Sequence, residues 1–315
     1  MKIEVISMGD VTTDLLFSVP NYPGLGQDVN ASRFKVDIGG SAANFAVAIA
    51  KFGIGSGLVG KVGDDWFGNF AIAELKKEGV DVSQVMVKKG ATGIVASIVD
   101  REGERTMFSY RGANAGLKPD EIDPTYIRKA RSLHISGYAL IEDPQREAAL
   151  KCAQLARGGG ILTSFDPGPL IHLAKRAVIR RILGLTDVLL PDSDEIKSLS
   201  EHGGDVEALL NAGPKTIGLK MGKRGCLIAQ GKRRIHMPAF KVNVVDTTGA
   251  GDAWGAGFVA ALLREPSNLE GAGKFANAAA ALAIGNEGGR ASLPSGCEVE
   301  RFLAEYAESK EGGGK

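Results

Sequence analysis

The sequence predicts an α/β fold, an αβα sandwich with a mainly parallel central sheet and a small β-sheet attached to it. Three observations carry this. Short apolar runs alternate with stretches of helical periodicity along most of the chain. Two pairs of alternating segments, each joined by a turn, interrupt that rhythm in the first third. The 315 residues, 44% of them hydrophobic, suffice for one large domain with a small appendage.

Each element has its own signal. Residues 3–8 are a short apolar run closed by Gly9, the pattern of a buried strand. Segments 12–19 and 31–38 flank a Pro/Gly-rich turn from Pro20 to Gly26 and read as a hairpin. Residues 41–52 repeat apolar side chains at helical spacing and stop at Gly53. A strand over 57–62 and a helix over 67–77, closed by Gly79, follow. Segments 93–100 and 106–111 flank Arg101-Glu102-Gly103-Glu104 as a second hairpin. Strands over 132–136, 161–165, 188–190 and 216–220 then alternate with helices over 145–156, 174–182, 193–200 and 206–210. The two hairpins, 12–38 and 91–111, are expected to form one small sheet over the C-terminal edge of the large one, as a lid. Residues 1–11, 39–90 and 112–308 then make the α/β core, and the polar, Gly-rich stretch 309–315 a disordered tail.

Composition narrows the function. With 38 basic and 37 acidic side chains the formal charge is +1, so no basic surface for nucleic acid is expected. Lys232-Arg233-Arg234 and Arg180-Arg181 read as solvated faces or turns. Cys152, Cys226 and Cys297 show no CxxC spacing and read as reduced thiols, which suits the cytoplasm. The four histidines form no pair at zinc-ligand spacing. The N-terminus has no signal-peptide core, and the longest apolar stretch, near 278–284, is too short to span a bilayer.

The most informative segment is Asp246-Thr247-Thr248-Gly249-Ala250-Gly251-Asp252, which leads into an apolar helix over about 252–263. Gly249 and Gly251 leave the backbone unshielded. Their N–H groups and that of Ala250 can converge at the positive end of a helix dipole, an anion hole for a transferring phosphoryl group. Asp252 at the helix start can accept the proton of an attacking hydroxyl, or it can simply cap the helix. Other matches are weaker. Gly55-Ser56-Gly57-Leu58-Val59-Gly60-Lys61-Val62 approaches a P-loop but lacks the final Ser/Thr and lies on a strand. His134, on an apolar strand, reads as a core histidine, and Trp254 and Phe258 as helix packing. Asp166 ends a strand at the sheet's C-terminal edge, where it either touches substrate or caps the turn before Pro167.

The string from Asp246 to Asp252, followed by small residues, resembles the C-terminal signature of the ribokinase-like PfkB kinases. Gly39-Gly40-Ser41-Ala42-Ala43-Asn44 is similar to the family's N-terminal signature, a Gly-Gly turn and an Asn that hold the substrate. Gly9 to Asp14 resembles its first strand, Gly112-Ala113-Asn114 its lid-to-core junction, and Gly222-Lys223-Arg224-Gly225 a nucleotide-binding turn. Pro191 to Glu195 resembles its Asn-x-x-Glu element, with Asp192 in place of the Asn, and Thr12 stands where ribokinases proper carry Asn. The likeness runs from about residue 3 to about 305.

The resemblance implies a ribokinase-like αβα sandwich with a β lid and an ATP-dependent kinase acting on a hydroxyl of a sugar or polyol. Asp252 would be the base, with Gly249, Ala250 and Gly251 as anion hole. Thr12, Asp14, Gly39, Gly40, Ser41, Asn44, Asn114 and Asp166 would hold the acceptor, and Lys220, Gly222, Gly225 and Asn277 would hold ATP. Glu195 and Asp192 would organise Mg²⁺ through water. Asp246, Thr248, Ile284, Glu287, Gly289 and Ser292 match the positions that hold a K⁺-type ion. A nucleoside acceptor is the alternative: Phe17, Phe34, Phe108 and Tyr110 fall on lid strands and form either a wall for a base or the lid's own small core. A sugar-binding regulator without catalysis is the other alternative. The expected partners are a small molecule and a second copy of the chain, met through the lid.

Overall fold

The computed structural model describes residues 2–200, 204–285, 290 and 292–312. The chain enters through β1 (Val5–Met8), whose four side chains are all buried. It then forms a hairpin of β2 (Thr12–Ser18) and β3 (Arg33–Gly39). α1 (Ser41–Lys51), β4 (Ser56–Gly63), α2 (Trp66–Lys77) and β5 (Val80–Lys88) follow. A second hairpin pairs β6 (Gly93–Val99) with β7 (Arg105–Tyr110). Next come α3 (Pro124–Ile127), β8 (Ser132–Ser136), α4 (Gln145–Gly158) and β9 (Leu162–Asp166). α5 (Arg176–Leu183), β10 (Val188–Leu189), α6 (Glu195–Leu199), α7 (Val206–Asn211) and β11 (Thr216–Lys220) continue the alternation. The chain closes with β12 (Cys226–Gln230), β13 (Arg233–Met237), α8 (Ala250–Arg264), α9 (Leu269–Ala283) and α10 (Gly296–Gly312).

The large sheet has nine strands in the order β13-β12-β11-β10-β9-β8-β1-β4-β5. Every pair from β11 to β5 is parallel. Parallel strands need cover on both faces, and two apolar clusters supply it. One packs α1, α2, α8, α9 and α10 around Phe45 and Phe258, and the other packs α3 to α7 around Phe165 and Ile135. The expected sandwich is thus present. The sequence reading passed over β5, whose burial is irregular, and the antiparallel edge of β12 and β13. β13 carries Arg233, Arg234 and His236 on an outer strand, where charge discourages pairing with another chain and hides the strand pattern.

The two hairpins form one sheet of their own, in the order β3-β2-β6-β7. The β2–β6 pair in its middle is parallel, and the two hairpin pairs are antiparallel. Thr12, Asp14, Val95, Met107 and Ser109 line a cleft against the large sheet. Strand alternation turns Leu15, Val36, Ala96 and Phe108, and the row of Phe17, Phe34 and Ile98, to the other side. Of the two alternatives for the lid aromatics, Phe17, Phe34 and Phe108 do not form a wall for a base, and Tyr110 alone of the four lines the cleft. α10 runs to Gly312, past the expected break at 309, because Ala307, Glu308, Lys310 and Glu311 favour helix. Residues 313–315 lie outside the described residues.

The weaker matches resolve as structure. Residues 56–63 are strand, and Lys61 donates to Gly116 O at 2.8 Å and to Glu121 Oε2 at 2.9 Å. His134 stacks on Phe45 with ring centroids 3.6 Å apart and meets Ser164 Oγ at 3.0 Å. Burial pushes its pKa down to about 3, so it is a neutral core residue.

Candidate active site

The carboxyl ends of β1, β9 and β11 and the N-termini of α1 and α8 open into a cleft of about 1080 Å³ beneath the small sheet. This is where doubly wound sheets bind ligands.

Two glycines bring α1 to the base of the small sheet. A Cβ on Gly39 would lie 2.2 Å from Asp14 Oδ2. Gly40 has φ 93°, and a Cβ there would lie 2.3 Å from Asp10 O. The helix that starts after them presents Ser41 and Asn44 on one face. Ser41 Oγ donates to Asp252 Oδ1 at 2.7 Å, and Asn44 Nδ2 donates to Oδ2 at 2.9 Å. The two signatures therefore meet at Asp252. Asp252 does not cap its helix: α8 starts at Ala250, two residues earlier than expected, and the cap residue is Gly249 with φ 76°. Burial raises the pKa of Asp252 to about 6, with Asp166 adding and the Ser41 and Asn44 bonds and Lys220 opposing. Asn44 lines the cleft, and its Oδ1 is buried without a hydrogen-bond partner.

Asp14 lines the same cleft, with Thr12 Oγ1 donating to its Oδ1 at 2.9 Å. Burial raises its pKa to about 6, and the Asp37 carboxylate adds to the rise. Asp10 is engaged elsewhere. Arg111 donates to both its oxygens at 3.0 and 2.9 Å, and Gln145 Nε2 donates at 2.7 Å. Asn114 does not reach the cleft as expected. It is fully buried, with Oδ1 accepting from Val11 N and Nδ2 donating to Val11 O, both at 2.8 Å. It holds the entry to the small sheet, and a further Nδ2 bond to Arg111 O at 3.0 Å commits both of its donors to backbone.

On the other side of Asp252, Lys220 ends β11. Its Nζ lies 2.6 Å from Asp166 Oδ2 and 3.9 Å from Glu195 Oε2. Burial works against the ammonium, but the two carboxylates outweigh it and raise the Lys220 pKa above its usual value. A Cβ on Gly251 would lie 3.7 Å from that Nζ, so the bare turn 249–251 sits against a fixed cation. Asp192 Oδ1 accepts from Asp194 N at 2.8 Å and Glu195 N at 2.7 Å, while Glu195 Oε2 accepts from Asp192 N at 2.8 Å. Position 192 thus needs only an acceptor oxygen, which explains why Asp can replace Asn there. Burial foremost, with Asp166 and Asp192, raises the Glu195 pKa.

Gly222 (φ 55°) and Gly225 (φ 90°) shape the turn between β11 and β12 at the far end of the cleft. Asn277 lines this end, but its amide is committed to the wall. Nδ2 donates to Pro238 O at 3.0 Å and Oδ1 accepts from Trp254 Nε1 at 2.8 Å. Trp254 stacks on Phe258 as expected, with centroids 5.1 Å apart.

Of the positions matched to a monovalent cation, Glu287 and Gly289 lie outside the described residues. Asp246 Oδ1 accepts from Thr248 N at 2.9 Å, and Ser292 is buried. Ile284 O accepts from Val245 N at 2.8 Å and Asp246 N at 3.3 Å, which ties the end of α9 to this turn. Sequence reasoning missed Arg105, the first residue of β7. It donates to Thr248 Oγ1 and lies 3.8 Å from Asp246 Oδ1. The available signal was alternation, since Arg105 shares a face with Met107 and Ser109.

The chain is similar to known proteins over nearly its whole length. Residues 2–296 match the family described as pfkB family carbohydrate kinase. The chain is 34% identical over 309 residues to an ATP-dependent ribose-1-phosphate kinase of Halopiger xanaduensis, covering 96% of this chain and 99% of that protein. It is 32% identical over 317 residues to fructokinase-1 of Oryza sativa subsp. japonica, covering 95% and 97%. Its fold is similar to the crystal structure of ribokinase from Thermotoga maritima, with TM-score 0.85, 30% identity, and 96% and 99% of the two chains covered. With signatures, cleft and near full-length matches in agreement, the chain belongs to the pfkB family of carbohydrate kinases, phosphotransferases whose acceptor is a sugar hydroxyl.

Proposed function

We propose that the protein transfers the γ-phosphoryl group of ATP to a hydroxyl of a sugar or polyol, with Asp252 as general base. The observation that carries this is the meeting of both signatures at Asp252. A carboxylate with pKa about 6 is held by Ser41 and Asn44 beside the bare 249–251 turn. The ATP-dependent relative supports ATP as donor. Such a base is ionised at neutral pH yet basic enough to take a proton.

The acceptor hydroxyl gives its proton to Asp252 as its oxygen bonds to the γ-phosphorus. The bond from that phosphorus to the β–γ bridging oxygen breaks, and ADP leaves. The amides of 249–251 and the Lys220 ammonium face the charge that develops on the phosphoryl oxygens. Glu195 and Asp192 are the residues that would hold Mg²⁺, and the ion would supply further charge neutralisation at the transferring group. Asp14 and Thr12, with Asn44 beside them in the cleft lining, orient the acceptor hydroxyls. The small sheet acts as a lid that excludes water, and Arg105 brings its β7 edge onto the signature turn. Short polar groups on the cleft face, with Phe17, Phe34 and Phe108 turned away, favour a sugar over a nucleoside. A K⁺-type ion at Asp246 and Ser292 belongs to the same reading.

The outward face of the lid, with Phe34 55% and Phe108 56% exposed, is proposed to pair with a second copy. No helix among the described residues is long and apolar enough to cross a membrane. The unpaired Cys152, Cys226 and Cys297 fit a reducing cytoplasm.

ADP release should be measured with ribose, fructose, ribose-1-phosphate, myo-inositol and adenosine. One sugar or polyol is expected to lead, and adenosine leading tenfold in kcat/KM would reverse the choice of acceptor. With the best acceptor, Asp252→Asn is expected to lower kcat by about two to four orders of magnitude. Near wild-type turnover in that variant would remove Asp252 from the chemistry.

A further inference from the structure

We propose that Arg290 is a positioning residue for the acceptor: it binds Asp37 and thereby leaves Asp14, the carboxylate directly opposite, available to the acceptor. In the antiparallel pair β2–β3, Asp14 faces Asp37 in register. Alternation places both on the same side of the small sheet, where like charges on opposed strand positions repel. Asp37 is 4% exposed, and a carboxylate so buried needs a charged partner.

Arg290 provides that partner. Its Nε donates to Asp37 Oδ1 at 2.9 Å. The same guanidinium donates through Nη1 to Glu74 Oε2 on α2 and to Glu78 Oε1 at its C-cap, at 3.0 Å each. Lys35 Nζ lies 2.7 Å from Asp37 Oδ2, but its side chain is 37% exposed and on the same strand, so it neutralises charge without anchoring β3 to the core. The rigid guanidinium fork does anchor it, because it bridges β3 and a core helix at fixed angles.

The anchor sits two residues before the Gly39–Gly40 turn. That turn sets where α1 presents Ser41 and Asn44, and Asp14 packs against Gly39. Without Arg290, Asp37, Glu74 and Glu78 lose their shared cation. Repulsion between Asp37 and Asp14 then has no counterweight on the core side. The base of β3 shifts, and the acceptor loses affinity while the ATP end of the cleft stays in place.

This inference rests on the reading that Asp14 holds the acceptor, so Asp14→Asn is measured alongside. Steady-state kinetics with the best acceptor are compared for wild type, D14N, R290Q, R290K, D37N and the double variant D37N/R290Q, with melting temperatures recorded. R290Q is expected to raise the acceptor KM about tenfold or more while kcat and the ATP KM stay within about threefold. D37N/R290Q, which removes the charge Arg290 holds, should recover most of that loss, and R290K should fall between. A purely structural role would lower the melting temperature and kcat and would not be rescued by D37N. Unchanged acceptor KM in R290Q, or no recovery in the double variant, overturns the proposal. If R290Q does not fold, R290K decides, and a wild-type acceptor KM there overturns it. D14N with wild-type acceptor KM removes the acceptor reading and this inference together; D14N impaired with R290Q normal removes the inference alone.

Discussion

Burial makes ionised Asp252 costly to the fold. Its pKa in the fold is pushed up to about 6 from an ordinary carboxylate value of 3.8. A carboxyl raised on folding contributes no penalty while protonated in both states. The penalty appears as pH rises from about 4 through about 6, where the unfolded chain ionises more readily. Asp14 behaves in the same way. Asp252→Asn is therefore expected to be more stable than wild type at pH 7, by on the order of 1–3 kcal/mol, and equal to it below pH 4. Thermal melts across pH 3–8 check this, and a variant less stable at pH 7 would show that the Ser41 and Asn44 bonds outweigh burial. The sequence made Asp252 legible, because few turns place bare glycines before an acid and a helix. It did not reveal that Ser41 and Asn44 hold Asp252 itself. Nor did it reveal that Asn114 and Asn277 serve backbone and Trp254, since a polar residue in a motif reads alike whichever way it faces.

At the scale of elements, alternation of strand and helix was readable wherever burial was two-sided. It failed at β5 and β13, where one side or an edge is wet and the apolar run breaks up, and it missed β12, whose apolar run is only four residues long. The hairpins were readable because their turns are rich in Gly, Pro and charge. Their parallel contact, β2 with β6, joins segments far apart in sequence, and no local pattern encodes it. The turn from Asp246 to Gly249 shows the same limit. Its glycines were legible, but its tie to the end of α9 through Ile284 O was not. That carbonyl already accepts two amides, so the proposed K⁺-type ion would rely on Asp246, Thr248 and Ser292. An ion there would stiffen the turn that presents the anion hole, and kcat is the quantity it would move. Activity is expected to be several-fold higher in K⁺ than in tetramethylammonium at equal ionic strength. Equal rates in the two salts would discard the ion.

For the whole molecule, the small sheet poses a question of solubility. One face lines the cleft, leaving the rows Leu15, Val36, Ala96, Phe108 and Phe17, Phe34, Ile98 on the far side. Phe17 and Phe34 pack with centroids 4.9 Å apart, yet Phe34 and Phe108 remain more than half exposed. Exposed aromatic rings on a sheet face are apolar surface of the kind that marks a contact. Contact with a second lid would cover the outward face, and the isologous geometry of a two-fold dimer lets one patch serve both subunits. It would also stiffen the platform that carries Asp14 and Arg105. Sedimentation equilibrium is expected to give a dimer at micromolar concentration for the wild type. The double variant F34E/F108E is expected to be monomeric, because charge placed at the centre of an apolar interface is desolvated without a partner. Its ATP KM should stay near wild type, since both side chains face away from the cleft, while its acceptor KM rises as the lid loosens. A wild type that sediments as a monomer at tens of micromolar would mean that the lid holds its shape alone.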